Sequence, residues 1–250
     1  VAATRYVAPL REGGSLPALM EADDDGLYVV KFRGAGQGPK ALVAELIVGE
    51  LGRALGLPVP EIAFVEVDVV LARAEPDPEI QDLISMSAGL NFGIDFLPGA
   101  LAFDSEAGRE LDPEIAANVV WLDALVMNVD RTPRNPNLLL WHRRLWLIDH
   151  GAALYVHHAT ADIAPRAQQP FPAIRDHVLL SHAGSIADAD ARLAPLLDRG
   201  VLERIAALLP DAWLDHDAPS PNAYVEYLLR RLESPRDFVE EAERARIAIA

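Results

Sequence analysis

Cysteine is absent from the 250 residues, which excludes disulfides, thiolate metal sites and cysteine nucleophiles and fits a reducing compartment. Basic residues are scarce: 22 Lys and Arg stand against 38 Asp and Glu, a formal net charge of −16. Such a field repels nucleic acid and anionic lipid, so neither is expected as a direct partner. The opening stretch VAATRYVAPLREGG has no continuous apolar run, so neither a signal peptide nor membrane insertion is expected, and the location expected is cytoplasmic. His157 and His158 lack a His-Glu-x-x-His spacing, which leaves them without a zinc-site pattern. Internal repeats and low-complexity tracts are also missing. What remains is ordinary for a folded chain, 51% hydrophobic and 24% charged residues. The length suits one large domain or two modest lobes, each with a core of its own.

The N-terminal part reads as strands. RYVAPL, SLPALMEA and GLYVVKF are short apolar or alternating runs, parted at Gly13-Gly14 and at Asp23-Asp24-Asp25-Gly26, and they predict a three-stranded antiparallel meander. After a glycine-rich stretch, Leu42, Leu46, Ile47, Leu51, Ala54 and Leu55 recur at helical spacing, with Gly56 and Pro58 marking the stop. EIAFVEVDVVL predicts a further strand and EPDPEIQDLISMSAG a loop with a short helix. LNFGIDFLPGALAF reads as an extended connector. Asp112 and Pro113 open a helix over PEIAANVVWLDALVM. Beyond about Asp176 the chain reads as helices broken by Pro and Gly, ending in an amphipathic stretch from Pro235.

Chemistry concentrates between Asn128 and Gly151. An apolar helix runs into Asn128-Val-Asp-Arg-Thr-Pro-Arg-Asn-Pro-Asn137, and this loop enters a hairpin, LLLW then LWLI, that ends on Asp149-His-Gly151. Such a layout presents two carboxylates and a carboxamide from loop ends held by rigid elements, as phosphoryl transfer requires. One Asp would orient or deprotonate an acceptor hydroxyl, while an Asn and the second Asp would hold magnesium against phosphate. Taken singly, Asp130 reads as a turn residue; the combination carries the signal. Trp121, Trp141 and Trp146 flank this segment and read as packing residues.

On these residues the sequence resembles the HipA-like kinases, with their looser similarity to phosphatidylinositol kinases. The likeness rests on Asn128-x-Asp130-Arg131 with Asn135 or Asn137, Ile148-Asp149-His150-Gly151, Val30-Lys31, and Ala44-Glu45 followed by Leu55-Gly-Leu-Pro-Val-Pro60. It implies an α+β, two-lobed protein-kinase-like fold, a sheet-rich N-lobe over 1–98 and a helical C-lobe over 99–250, with ATP and magnesium between them. It implies transfer of the γ-phosphoryl group of ATP to a hydroxyl, of a protein Ser or Thr by resemblance. A small-molecule or lipid-headgroup acceptor and a nucleotide-sensing pseudokinase are the alternatives. Asp130 would be the catalytic base, Asp149 the main magnesium ligand, Lys31 the contact to the nucleotide phosphates and Glu45 its orienting partner, with Glu50 ranked second. Nucleotide contact is assigned to Lys31, to Gly13, Gly14 and Ser15 as a covering loop, and to Asp95, Phe96 and Leu97 in the connector. Gly13-Gly14 matches neither a P-loop nor the protein-kinase glycine pattern, and a plain hairpin turn explains it as well.

Two asparagines compete for the metal. Counting five residues from Asp130 gives Asn135. A three-residue turn His142-Arg143-Arg144 would instead set Leu138 opposite Ile148 and Asn137 opposite Asp149, close enough to share one cation. Pro136 bars a ladder donor beside Asn135, and the hairpin argument favours Asn137.

Overall fold

The computed structural model describes residues 1–10, 16–36, 38–104, 111–233 and 235–249. Gly13, Gly14 and Ser15 lie outside the described residues. The predicted meander forms as β1 (Ala3–Pro9), β2 (Ala18–Ala22) and β3 (Leu27–Lys31), each antiparallel to the next. In β2 the alternation is visible in the burial of Ala18, Met20 and Ala22 between the less buried Leu19 and Glu21. Two further strands, β4 (Ile62–Val67) and β5 (Gly89–Asp95), complete a sheet of order β1-β2-β3-β5-β4.

β5 corrects the reading of LNFGIDF as connector. It lies between β3 and β4 and buries Asn91, Phe92, Gly93 and Ile94 in succession; a strand covered on both faces loses the period-two signal. The strand expected over EIAFVEVDVVL also stops early, at Val67. There the Asp68 carboxylate accepts from the Val70 N–H at 2.8 Å and caps a 3₁₀ turn, Val69–Ala74. That turn and α2 (Pro78–Met86) close one face of the sheet around Met20, Val30, Val65, Ile80, Leu83 and Ile84.

Helix α1 (Pro39–Ala54) covers the other face. It ends as predicted: Gly56 takes φ +74°, and the Leu57 N–H returns to the Gly52 carbonyl at 2.9 Å. α1 is buried at every position from Leu42 through Gly49, so that stretch has no solvent face. The helical part of the chain comprises α3 (Pro113–Val126), α4 (Ile186–Leu193), α5 (Arg199–Ala206), α6 (Pro221–Leu232) and α7 (Asp237–Ile249), and α1 packs on it through α5. One continuous core joins Leu46, Leu51 and Phe92 to Trp121, Trp213 and Tyr227. The sheet-rich part thus has one core of its own, around Met20, Val30 and Ile84, and through α1 shares a second with the helices.

Between the two parts stands a small sheet of β6 (Leu101–Ala102), β7 (Leu138–Trp141) and β8 (Arg144–Leu147). Its hairpin turns on two residues, since Trp141 faces Arg144 and Leu138 faces Leu147. His142 and Arg143 have φ of 48° and 62°, the left-handed pair that a tight primed turn requires. The expected three-residue turn is thus one residue too long. Asn137 meets Ile148, whose N–H donates to the Asn137 carbonyl at 3.2 Å, and Asp149 lies one residue beyond.

Candidate active site

Lys31 ends β3 with its side chain buried, and a buried ammonium has to be paired. It donates to Glu45 Oε1 and, at 2.5 Å, to Asp149 Oδ1. Glu45 comes from the middle of α1 and Asp149 from the residue pair beyond β8, so three elements converge on one nitrogen. Glu50 lies apart, 3.7 Å from Arg53 on the same helix. The second Glu45 oxygen accepts the backbone N–H of His150 at 2.9 Å. A Cβ on Gly151 would stand 2.9 Å from Glu45 Oε1 and 3.6 Å from Ala41, so glycine is what lets this segment lie against α1.

The cluster holds two carboxylates for one ammonium. Burial works against the Lys31 charge, but the Glu45 and Asp149 carboxylates outweigh it and hold the ammonium above its ordinary value. Burial also presses the Asp149 carboxyl upward, and there Lys31 wins and holds it below the usual range. Glu45, the most deeply buried, is pushed up by burial and by the Asp149 charge against the pull of Lys31.

Asp130 lies on the loop that follows α3, half-buried, its N–H bound to Asn128 Oδ1 at 3.2 Å. Its Oδ2 accepts from Asn135 Nδ2 at 2.7 Å and from Asn137 Nδ2 at 3.5 Å. Both carboxamides therefore aim their nitrogens at Asp130, and among the described residues neither amide oxygen accepts a hydrogen bond. Asn137 and Asp149 both occupy the left-handed region, with φ of 51° and 56°, a conformation that Asn and Asp tolerate better than most residues. Asn135, Asn137 and Asp149, with Arg134, form the polar end of a cleft of about 660 Å³, whose apolar lining includes Phe103, Leu138 and Ile148. The corrected hairpin register thus separates Asn137 from Asp149 along the ladder but leaves both on one cleft wall.

On the connector side the cleft is lined by Ala102 and Phe103. Asp95, Phe96 and Leu97 are not among its lining residues. β5 runs through Asp95, and the N–H groups of Asp95 and Phe96 are spent on the carbonyls of Glu61 and Leu27 at 2.8 and 2.9 Å.

Behind the loop is a fully buried carboxylate that the sequence reading passed over. Asp123 of α3 accepts from Arg131 Nε at 2.5 Å, Asn128 Nδ2 at 2.9 Å and His177 Nε2 at 2.8 Å. The Leu179 N–H donates to His177 Nδ1 at 3.1 Å, so Nε2 carries the proton given to Asp123. Burial alone would raise the Asp123 carboxyl, but Arg131 and His177 hold it far below the usual range. Arg131 also reaches the Asn137 carbonyl, Ile148 O at 3.2 Å and His150 Nδ1 at 3.1 Å. One guanidinium thereby fixes both ends of the hairpin and the loop of Asp130. The signal was available: an Asp inside the apolar run VVWLDALVM faces the core and needs partners.

The sequence profile of the HipA-like kinases matches residues 4–236 of the chain. The chain belongs to the HipA-like kinase family. Solved structures of kinases share its fold. The proinflammatory kinase CtkA of Helicobacter pylori superposes with a TM-score of 0.56 at 13% identity, over 100% of this chain and 99% of its own. The Golgi casein kinase with Mn and ADP bound gives 0.55 at 11% identity, over 98% of this chain and 73% of its own. No curated protein sequence matches the chain significantly. This HipA-like chain therefore has the two-part α+β kinase architecture, sheet-rich first and helical after, and the site stands where the two parts meet. Among the described residues no helix is long and apolar enough to cross a membrane.

Proposed function

We propose that this protein transfers the γ-phosphoryl group of ATP to a Ser or Thr hydroxyl of a protein, in the cytoplasm, with its lobes dividing near residue 98. The observation that carries the reading is the meeting of Lys31, Glu45 and Asp149 from β3, α1 and the β8 exit, beside a cleft that Asn135 and Asn137 also line. The HipA-like family and the kinase fold support a phosphotransferase, and the relative solved with Mn and ADP supports nucleotide and a divalent cation.

The donor set suits magnesium: Asp149 offers a carboxylate and the two asparagines offer unengaged amide oxygens, all hard ligands. Asp149 and Asn137 would hold the ion, which when bound neutralises charge on the phosphate oxygens. Lys31, steered by Glu45, would bind the nucleotide phosphates, leaving Asp149 when they arrive. Asp130 would accept the proton of the acceptor hydroxyl, kept in place by Asn135 and by the Arg131–Asp123 pair beneath. Phe103, Leu138 and Ile148 would pack against the base.

ADP release from magnesium-ATP, together with phosphoproteomics of a protein mixture, tests this. Asp130→Asn and Asp149→Asn should each lower turnover by about 10²-fold or more. Asn137→Ala should cost more than Asn135→Ala. Wild-type turnover retained in Asp149→Asn would refute the site, and phosphate appearing only on small molecules would refute the protein acceptor.

A further inference from the structure

The pair that organises the site, Lys31 and Glu45, is built on two elements that could shift against each other, a strand end and a helix. The strand beside the first and the helix itself both meet one turn of the C-terminal third. Trp213 ends a 3₁₀ turn, Asp211–Trp213, that follows α5, and it is fully buried. Its indole Nε1 donates to the Leu90 carbonyl of β5 at 2.9 Å. Its ring stands 5.6 Å from that of Phe64 on β4, and its turn packs on α1. The β3–β5 ladder ends with Lys31 opposite Phe92, two residues from Leu90. Trp213 therefore holds the strand next to the lysine, while the turn that carries it packs on the helix of the glutamate.

We propose that Trp213 is a positioning residue of the phosphotransferase reaction, holding α1 and β5 so that Glu45 stays paired with Lys31 before any nucleotide or modification arrives. Helix α1 is buried at every position from Leu42 through Gly49, so the stretch that carries Glu45 has no free face on which to swing. Any rotation that withdrew Glu45 would first have to open the core shared with α5 and the Trp213 turn. Two further ties run from α1 to the segment after the hairpin: Glu45 to the His150 N–H at 2.9 Å, and Lys40 Nζ to the His157 carbonyl at 2.8 Å. The ion pair is thus a standing feature, set by packing on the face of the sheet that α1 covers.

The proposal rests on the phosphotransferase reading, and its test keeps the two apart. Trp213→Phe keeps an aromatic ring in the core and removes only the donor and part of the area; Trp213→Ala removes both. Hydrogen exchange well below each variant's unfolding midpoint should show faster exchange over residues 39–54 and at the His150 amide, with α3 and α6 unchanged. Unchanged protection of α1, or a uniform loss across the chain, would overturn the positioning role whatever the activity. In steady-state kinetics Trp213→Phe should lower kcat on the order of tenfold while KM for magnesium-ATP moves less than about twofold. Added to Glu45→Gln it should cost nothing more, because both act through Lys31; additive losses would overturn the proposal. A wild-type protein without turnover would overturn the phosphotransferase reading, and the exchange measurement would still decide this one.

Discussion

His157 is fully buried, with Nδ1 3.0 Å from the Tyr224 hydroxyl and Nε2 3.2 Å from His158 Nε2, while Lys40 binds its carbonyl. Burial, then the His158 and Lys40 charges, push its imidazole down to about 3. In the unfolded chain it titrates near its ordinary value of about 6.5. Between those values the unfolded state binds a proton that the native state refuses, so the contribution is complete above about pH 6.5 and is lost as pH falls. Denaturant unfolding at a series of pH values from about 7 to about 4 should show stability falling with acid. The slope should be shallower in His157→Phe by up to about 1.4 kcal/mol per pH unit. Equal slopes would show that this histidine does not drive the loss. At this scale the sequence was most legible where residues belonged to a motif: Lys31, Glu45 and Asp149, each singled out in the sequence, lie together in the structure. Trp213 was not, because its partner Leu90 lies 123 residues away, whereas Asp123 carried a signal in its apolar setting that a motif-based reading passes over.

Among the elements, the β7–β8 hairpin shows how local chemistry can mislead. Arg144 is exposed, and its polarity read as turn, whereas it is the first residue of β8. The turn itself puts His142 and Arg143 in left-handed backbone, where a side chain costs about 1 kcal/mol or more relative to glycine. Arg143→Gly should therefore stabilise the protein by about 1 kcal/mol in equilibrium denaturation. A neutral or destabilising result would mean that the Arg143 side chain makes a compensating contact. Helix limits were legible because their signals are local: Gly56 beyond α1, Asp112 and Pro113 before α3, where the Asp112 side chain caps the Glu114 N–H. β5 was not, since a strand buried on both faces has no alternation to read.

For the molecule as a whole, the strand-then-helix order was legible and gave the architecture. The sharing of a core between strands and helices at α1 was not, because no residue of α1 announces what lies on its second face. That arrangement has a consequence for how the chain is made. The partner of Leu90 is 123 residues further on, so at about 5–20 residues per second the ribosome needs on the order of ten seconds to supply it. Through that interval the sheet can form, but α1 has one side open to solvent with Leu46, Leu51 and Phe92 near it. The nascent chain should then present an apolar surface that chaperones and proteases can find. Chains stalled at successive lengths should show α1 cleaved by protease until residues beyond Trp213 have emerged, and protected afterwards. Protection of α1 in a chain stalled before α5 would mean that the N-terminal part closes its own core during synthesis.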